Sequence, residues 1–214
     1  MSDRAKAWVL SVAVLGVLAL LGVVLPEYYQ TNLARILVLA TFAMGYNLLF
    51  GYTGLLSLGH ALFFAAGLFA MGLTMRWAGL EALPAFLLGV IAGGVVAALV
   101  GALALRTEGV AFMIVTLMLA QAGFLTVLYF SAWTNGDEGF VIQAAERQVA
   151  GIDLTQRGPR FAVALGIFAL GLLAKLWLIQ SATGRALVAI RENAPRAEML
   201  GYNVFRLRLL AVGL

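Results

Sequence analysis

Long apolar runs alternate with short polar interruptions along this chain, and the length of each run decides what it forms. A helix needs about 20 apolar residues to cross the hydrocarbon core of a bilayer. Runs at 7–25, 33–50, 55–75, 83–105, 110–130 and 161–179 are of this order, and a seventh begins near 207 and is cut off at 214. The pattern predicts an all-α, polytopic helical membrane protein: one transmembrane domain over 1–214, with about six complete helices and a truncated seventh. Two polar stretches are long enough to leave the membrane, an external loop at 131–160 and a cytoplasmic loop at 181–206.

A polar break at 47–60 separates the second and third runs. It reads Asn47-Leu-Leu-Phe-Gly51-Tyr52-Thr53-Gly54-Leu-Leu-Ser57-Leu-Gly59-His60. Non-helical backbone at membrane depth is tolerated only inside protein or beside a water-filled cavity. Broken helices of this kind line substrate paths in transporters. Glycines that merely permit a tight interfacial turn would give the same composition.

The loop at 181–206 holds a second pattern. Asn193 can cap a helix, Pro195 suits its first turn and Gly201 can end it. Seven residues or so make a helix of roughly 10 Å, too short to stand alone in water. It needs the flanking spans and a partner. Glu192 and Glu198 among Arg185, Arg191 and Arg196 argue against a loop meant only for anionic headgroups.

Composition sharpens the class. The chain is 63% hydrophobic and 11% charged, where a soluble domain carries about a quarter charged residues. Its net charge of +4 fits basic loops kept on one membrane face better than nucleic-acid binding. With the N terminus inside, the inner segments carry Arg4, Lys6, Arg106, Arg185, Arg191, Arg196, Arg206 and Arg208. The outer ones carry Arg35, Arg76, Arg147, Arg157 and Arg160, so a cytoplasmic N terminus is expected. The external loop holds the turn-rich acidic run Asn135-Gly-Asp-Glu-Gly139 and the mixed run Glu146-Arg147, and it predicts a small cap of strands or short helices.

There is no cysteine and one histidine, so no thiol chemistry and no multi-histidine metal site is available. No cofactor and no enzymatic activity are expected. His60 has no carboxylate near it in sequence, and packing explains it better than proton relay. Gly89 and Gly93 share a helix face that lets a neighbour approach closely. Thr116 and Thr126 can bond back to helix carbonyls, whereas Gln121 cannot and is expected to face the protein interior as interhelical glue or pore lining. Lys175 is expected to snorkel to the headgroups. The spans hold no acidic residue well inside, which disfavours an ion-coupled carrier.

Three segments together resemble a known family. The break Gly51-Tyr-Thr-Gly-Leu-Leu-Ser-Leu-Gly-His60-Ala-Leu-Phe-Phe64 is similar to the signature of LivM-type permeases of branched-chain amino acid ABC transporters. So are Thr107-Glu-Gly-Val-Ala-Phe112 leading to Gln121 and Thr134-Asn-Gly-Asp-Glu-Gly139, and the tail from Gly184 to Tyr202. The resemblance implies a bacterial inner-membrane subunit that pairs with a paralogous permease. Two cytoplasmic ATPase subunits would drive it and a periplasmic solute-binding protein would feed it. It implies an ATPase-coupling loop carrying Arg191, Glu192, Asn193, Pro195, Arg196, Glu198 and Gly201. The translocation path would pass Asn47, Tyr52, Ser57, His60, Thr116 and Gln121. The chain has no Gly-x-x-x-x-Gly-Lys-Ser/Thr and so is not its own ATPase. Urea and short-amide permeases are similar in the same three places, so the solute stays open between these classes. Members of the family continue through further spans, so the resemblance also implies a truncated permease or a fragment that does not transport by itself.

Overall fold

The computed structural model describes residues 3–140, 148–149 and 152–213. Among them are six helices long and apolar enough to cross a membrane. They are α1 (Asp3–Val24), α2 (Glu27–Asn47), α3 (Ala61–Ala78), α4 (Ala82–Ala104), α5 (Gly109–Tyr129) and, after the loop that follows α5, α7 (Arg157–Gln180). Within that loop lie α6 (Ser131–Thr134) and a two-residue antiparallel ladder of β1 (Gln148–Val149) and β2 (Ile152–Asp153), with Gln148 opposite Asp153. Three shorter helices end the chain: α8 (Ala182–Glu192), α9 (Ala194–Met199) and α10 (Val204–Gly213).

The spans sort into two half-bundles. In the first, α2 packs along α7 and α7 along α1. Ala34, Leu37, Phe161, Ala164 and Phe168 form its buried seam. Gly22 of α1 is where the Phe161 ring seats, and a Cβ there would collide with it. Gln30 donates to the carbonyls of Gly22 and Leu25 at 3.0 Å each, satisfying groups that the end of α1 would otherwise leave bare.

The second half-bundle is the α3–α4 hairpin with α10 against α4 and α5 alongside. A Cβ on Gly89 would lie 2.7 Å from the Gly67 carbonyl oxygen, and one on Gly93 3.1 Å from that of Phe63. The four-residue glycine spacing therefore sets a close helix contact, as expected. Gly101 serves α10 in the same way, facing Val212 and Leu209. Leu49, Phe112 and Leu187 are almost wholly buried where the half-bundles and α8 meet.

Several boundaries differ from the pattern. The second span begins at Glu27, directly after Pro26, and does not stop at 50: a π-helical turn, Leu48–Tyr52, continues it. The third begins at Ala61 rather than 55. Hydropathy alone places the break too early, because Leu48, Leu49 and Phe50 are apolar enough for either conformation. Gly54 (φ +73°) is what ends the helix, and 54–60 is the irregular stretch.

Outside the membrane, Asn135, Gly136 and Gly139 all have positive φ, so the acidic run is a turn as its composition predicts. The Thr134 hydroxyl donates to the Val127 carbonyl and accepts from the Gly136 N–H. Phe140 seats on Gly72, and Trp133 packs on Trp77 at 5.0 Å between centroids. The backbone N–H and hydroxyl of Thr155 both donate to Asp153, which holds its carboxyl below the usual range. The expected mixed run Glu146-Arg147 lies outside the described residues.

Candidate functional site

Residues 54–60 run between the half-bundles, and several of their backbone groups are paired within the protein. The Leu58 N–H donates to Thr116 Oγ1 at 3.1 Å, and the Gly59 N–H to Ser57 Oγ at 3.3 Å. Gly59 lies so close to the Thr116 backbone that a Cβ would collide with its carbonyl. Thr116 itself donates to the Met113 carbonyl at 2.9 Å, so one hydroxyl serves its own helix and the break at once. Thr126 makes the same kind of back-bond, to Ala122 at 2.8 Å.

His60 follows, 9% exposed, with Phe42, Tyr46 and Phe63 at 5.3, 5.6 and 5.3 Å between ring centroids. Its Nδ1 is buried without a hydrogen-bond partner among the described residues. The aromatic surround agrees with a packing role. Ser57, His60 and Thr116 are thus brought together around the C-terminal end of the break.

The other three path residues are elsewhere. Tyr52 packs against the central cluster. Asn47 faces α7, where its Oδ1 accepts from Lys175 Nζ at 2.9 Å, so Lys175 is engaged by α2 instead of reaching freely outward. Gln121, expected inside, is exposed on this chain. Five residues separate it from buried Thr116, roughly 140° around a helix of 3.6 residues per turn. Only the Phe112–Thr116 side of α5 is held by the half-bundle, so Gln121 points out of it.

At the α8–α9 end the tail is built as its residues predict. Asn193 Oδ1 accepts from the Arg196 N–H at 3.0 Å, Pro195 lies in the first turn of α9, and Gly201 leaves it with φ +87°. Glu198, Pro195 and Arg196 are exposed, whereas Ala197 is buried against Ile190 and Val204. Helix α8, which the pattern does not resolve, starts at Ser181, whose hydroxyl accepts from the Gly184 N–H at 3.3 Å. Only glycine fits at 184, because a Cβ would strike the carbonyls of Leu178 and Ile179. The Ser-Ala-Thr-Gly run is the signal that marks this start.

Two contacts join the tail to the membrane helices, and neither is foreseen from sequence. Arg191 Nη1 donates to the Gly51 carbonyl at 2.6 Å, and its Cγ would lie 3.2 Å from a Cβ on Gly54. Arg191 also lies 3.8 Å from Glu192, an exposed pair worth little. Arg208 Nη1 pairs with Glu108 at 2.9 Å. A cavity of about 360 Å³ opens beside this pair, lined by Glu108, Pro195, Glu198, Phe205 and Arg208. The arrangement is a bundle of spanning helices with a broken segment inside and a polar helical loop tied to the break. Among the described residues no cluster of side chains suits a metal ion.

These features define a polytopic helical membrane protein. The family model described as branched-chain amino acid transport system / permease component matches residues 28–214, and the chain belongs to that family. The match covers the break, α5 and the tail together. Searches of curated proteins and of solved structures found no match.

Proposed function

We propose that this chain is the membrane-spanning subunit, LivM type, of an ATP-driven importer of branched-chain, hydrophobic amino acids. It works in the bacterial inner membrane with its N terminus and the α8–α9 loop in the cytoplasm. A paralogous permease completes the pathway, two ATPase subunits seat on α9, and a periplasmic binding protein delivers the solute. Closure of the ATPase dimer pushes α9, and alternating access follows as the half-bundles reorient about residues 54–60. Asn47, Tyr52, Ser57, His60, Thr116 and Gln121 lie along or beside the path.

The observation that carries this reading is the hydrogen bond from Arg191 to the Gly51 carbonyl. Arg191, in the loop proposed to dock, thereby touches the backbone that leads into the break. A push on α8 and α9 therefore reaches the segment without passing through the length of a span. The exposed carboxylate of Glu198 and the neighbouring cavity supply a polar seat for a partner.

Co-purification with candidate ABC ATPase subunits tests the docking. Wild-type chain is expected to retain them and Glu198→Arg to lose them, since Glu198 is exposed and its replacement leaves the fold intact. A correctly inserted chain that retains no such ATPase refutes the reading.

A further inference from the structure

We infer that the groove between α2 and α7 is a binding site for an anionic phospholipid, in the leaflet on the α8–α9 side. A cavity of about 230 Å³ lies there, lined by Thr41, Met44, Gly45 and Leu48 from the α2 side. Gly171, Ala174, Lys175, Trp177 and Leu178 of α7 form the other wall. The concavity comes from Gly45 and Gly171, which put no side chain into it. At Gly171 the helices come so close that a Cβ would stand 3.1 Å from Thr41 Cγ2.

The lining is apolar except at Thr41, whose hydroxyl donates to the Leu37 carbonyl of its own helix at 2.9 Å, and at Lys175; a greasy groove with one charge suits a lipid with a charged head. Lys175 lies five residues before the end of α7 at Gln180, roughly 7.5 Å along the axis. Held on Asn47, the ammonium still has donors left for a phosphate that dips to it, and a lysine stem at that depth lies within reach of the headgroup level. Its ammonium donates to Asn47 Oδ1 at 2.9 Å and pairs with no carboxylate among the described residues. A neutral amide leaves the positive charge uncompensated in a medium where uncompensated charge is costly. A charged neighbour at the end of α7 is also cationic: Arg185, whose Nη1 donates to the Gln180 carbonyl at 3.2 Å.

An anionic phosphate completes this set, and a zwitterionic head does so less well because its own cation competes. Trp177, 69% exposed, stands at the same level, where tryptophan favours the headgroup boundary. The acyl chains then run along Met44, Leu48, Ala174 and Leu178. This site depends on the membrane setting of α2 and α7 and not on the transport reading, so the two fail separately.

Fluorescence of Trp177 tests the site. Replacing Trp8, Trp77 and Trp133 by Phe leaves it as the sole reporter, and circular dichroism checks that the helices persist. The chain is reconstituted in phosphatidylcholine vesicles carrying either brominated phosphatidylglycerol or brominated phosphatidylcholine as the minor component. Brominated phosphatidylglycerol is expected to quench at about one fifth of the mole fraction, the preference one lysine near an anionic surface gives. Lys175→Gln abolishes that preference, and Lys175→Arg preserves it. Equal quenching by both lipids, or a preference that survives Lys175→Gln, overturns the site. Absence of quenching by either lipid shows a face covered by protein, such as a second permease chain, and overturns it as well.

Discussion

Arg191, Gly51 and Gly54 form a small contact in which each residue type is required for a different reason. The guanidinium supplies a charged donor, Gly51 leaves room for the Asn47 amide, which a Cβ would crowd at 3.1 Å, while its carbonyl accepts from Arg191, and Gly54 supplies a left-handed backbone with no side chain. Arg191→Ala is expected to leave ATPase capture intact while uncoupling ATP hydrolysis from solute uptake, and the ratio of the two rates in proteoliposomes measures this. Parallel loss of capture would instead place Arg191 in the docking surface. Gly54→Ala forces an L side chain into a positive φ beside the Arg191 stem. It is expected to cost about 1–2 kcal/mol, read as a lower unfolding midpoint in detergent. Thr116→Val strips the acceptor from the Leu58 N–H in a part-buried hydrogen bond and should cost about 0.5–1.5 kcal/mol by the same measurement. The types of these residues were legible in the sequence, since glycines and hydroxyls at a break announce unusual backbone. Their pairing was not, because Arg191 lies 140 positions from Gly51 and no local pattern links them.

Among elements, α9 and the α3–α4 pair were the most readable. A cap, a proline and a terminal glycine each act within a few residues, and each is found where the sequence puts it. Asn193→Ala removes the cap and is expected to cost about 0.5–2 kcal/mol of local stability, seen as faster amide exchange across α9 with the spans unaffected. The orientation of α5 was less readable. Mean hydropathy is high all round this helix, so no polar stripe reveals which side packs inward, and a single amide at 121 was a poor guide. Exposure of Gln121 follows from Thr116 being held by the break, a constraint imposed from another part of the chain. The π-helical turn was missed for a related reason. Its residues are as apolar as the helix before it, and only the left-handed Gly54 beyond it stops the run.

For the molecule as a whole, exposed Gln121 makes a sharp distinction between pathway and lipid. The chain contains no cysteine, so Gln121→Cys creates a unique thiol. In the proposed assembly this thiol faces the aqueous route between two permeases and is expected to react with a water-soluble maleimide in the complete transporter. A thiol that stays inert to that reagent but reacts with a lipid-soluble one would put α5 against the bilayer and move the route elsewhere. The membrane class was legible from composition and run length because the bilayer imposes both. The grouping into two half-bundles was not, since run length says nothing about which span meets which.

That grouping has a consequence for how the chain is made. The α3–α4 hairpin can close as soon as it is synthesised, since its halves are neighbours. Helix α2 must wait for α7: Asn47 and Lys175 are 128 residues apart, and Trp8, which donates to Gln180 at 3.0 Å, is 172 from its partner. At elongation rates of about 5–20 residues per second, Asn47 stays without its partner for about 6–26 s. Through that interval the α7-facing sides of α1 and α2 have only lipid or the insertion machinery for company, although Phe42 and Tyr46 can already meet His60, and a ribosome that pauses within α5 prolongs the wait.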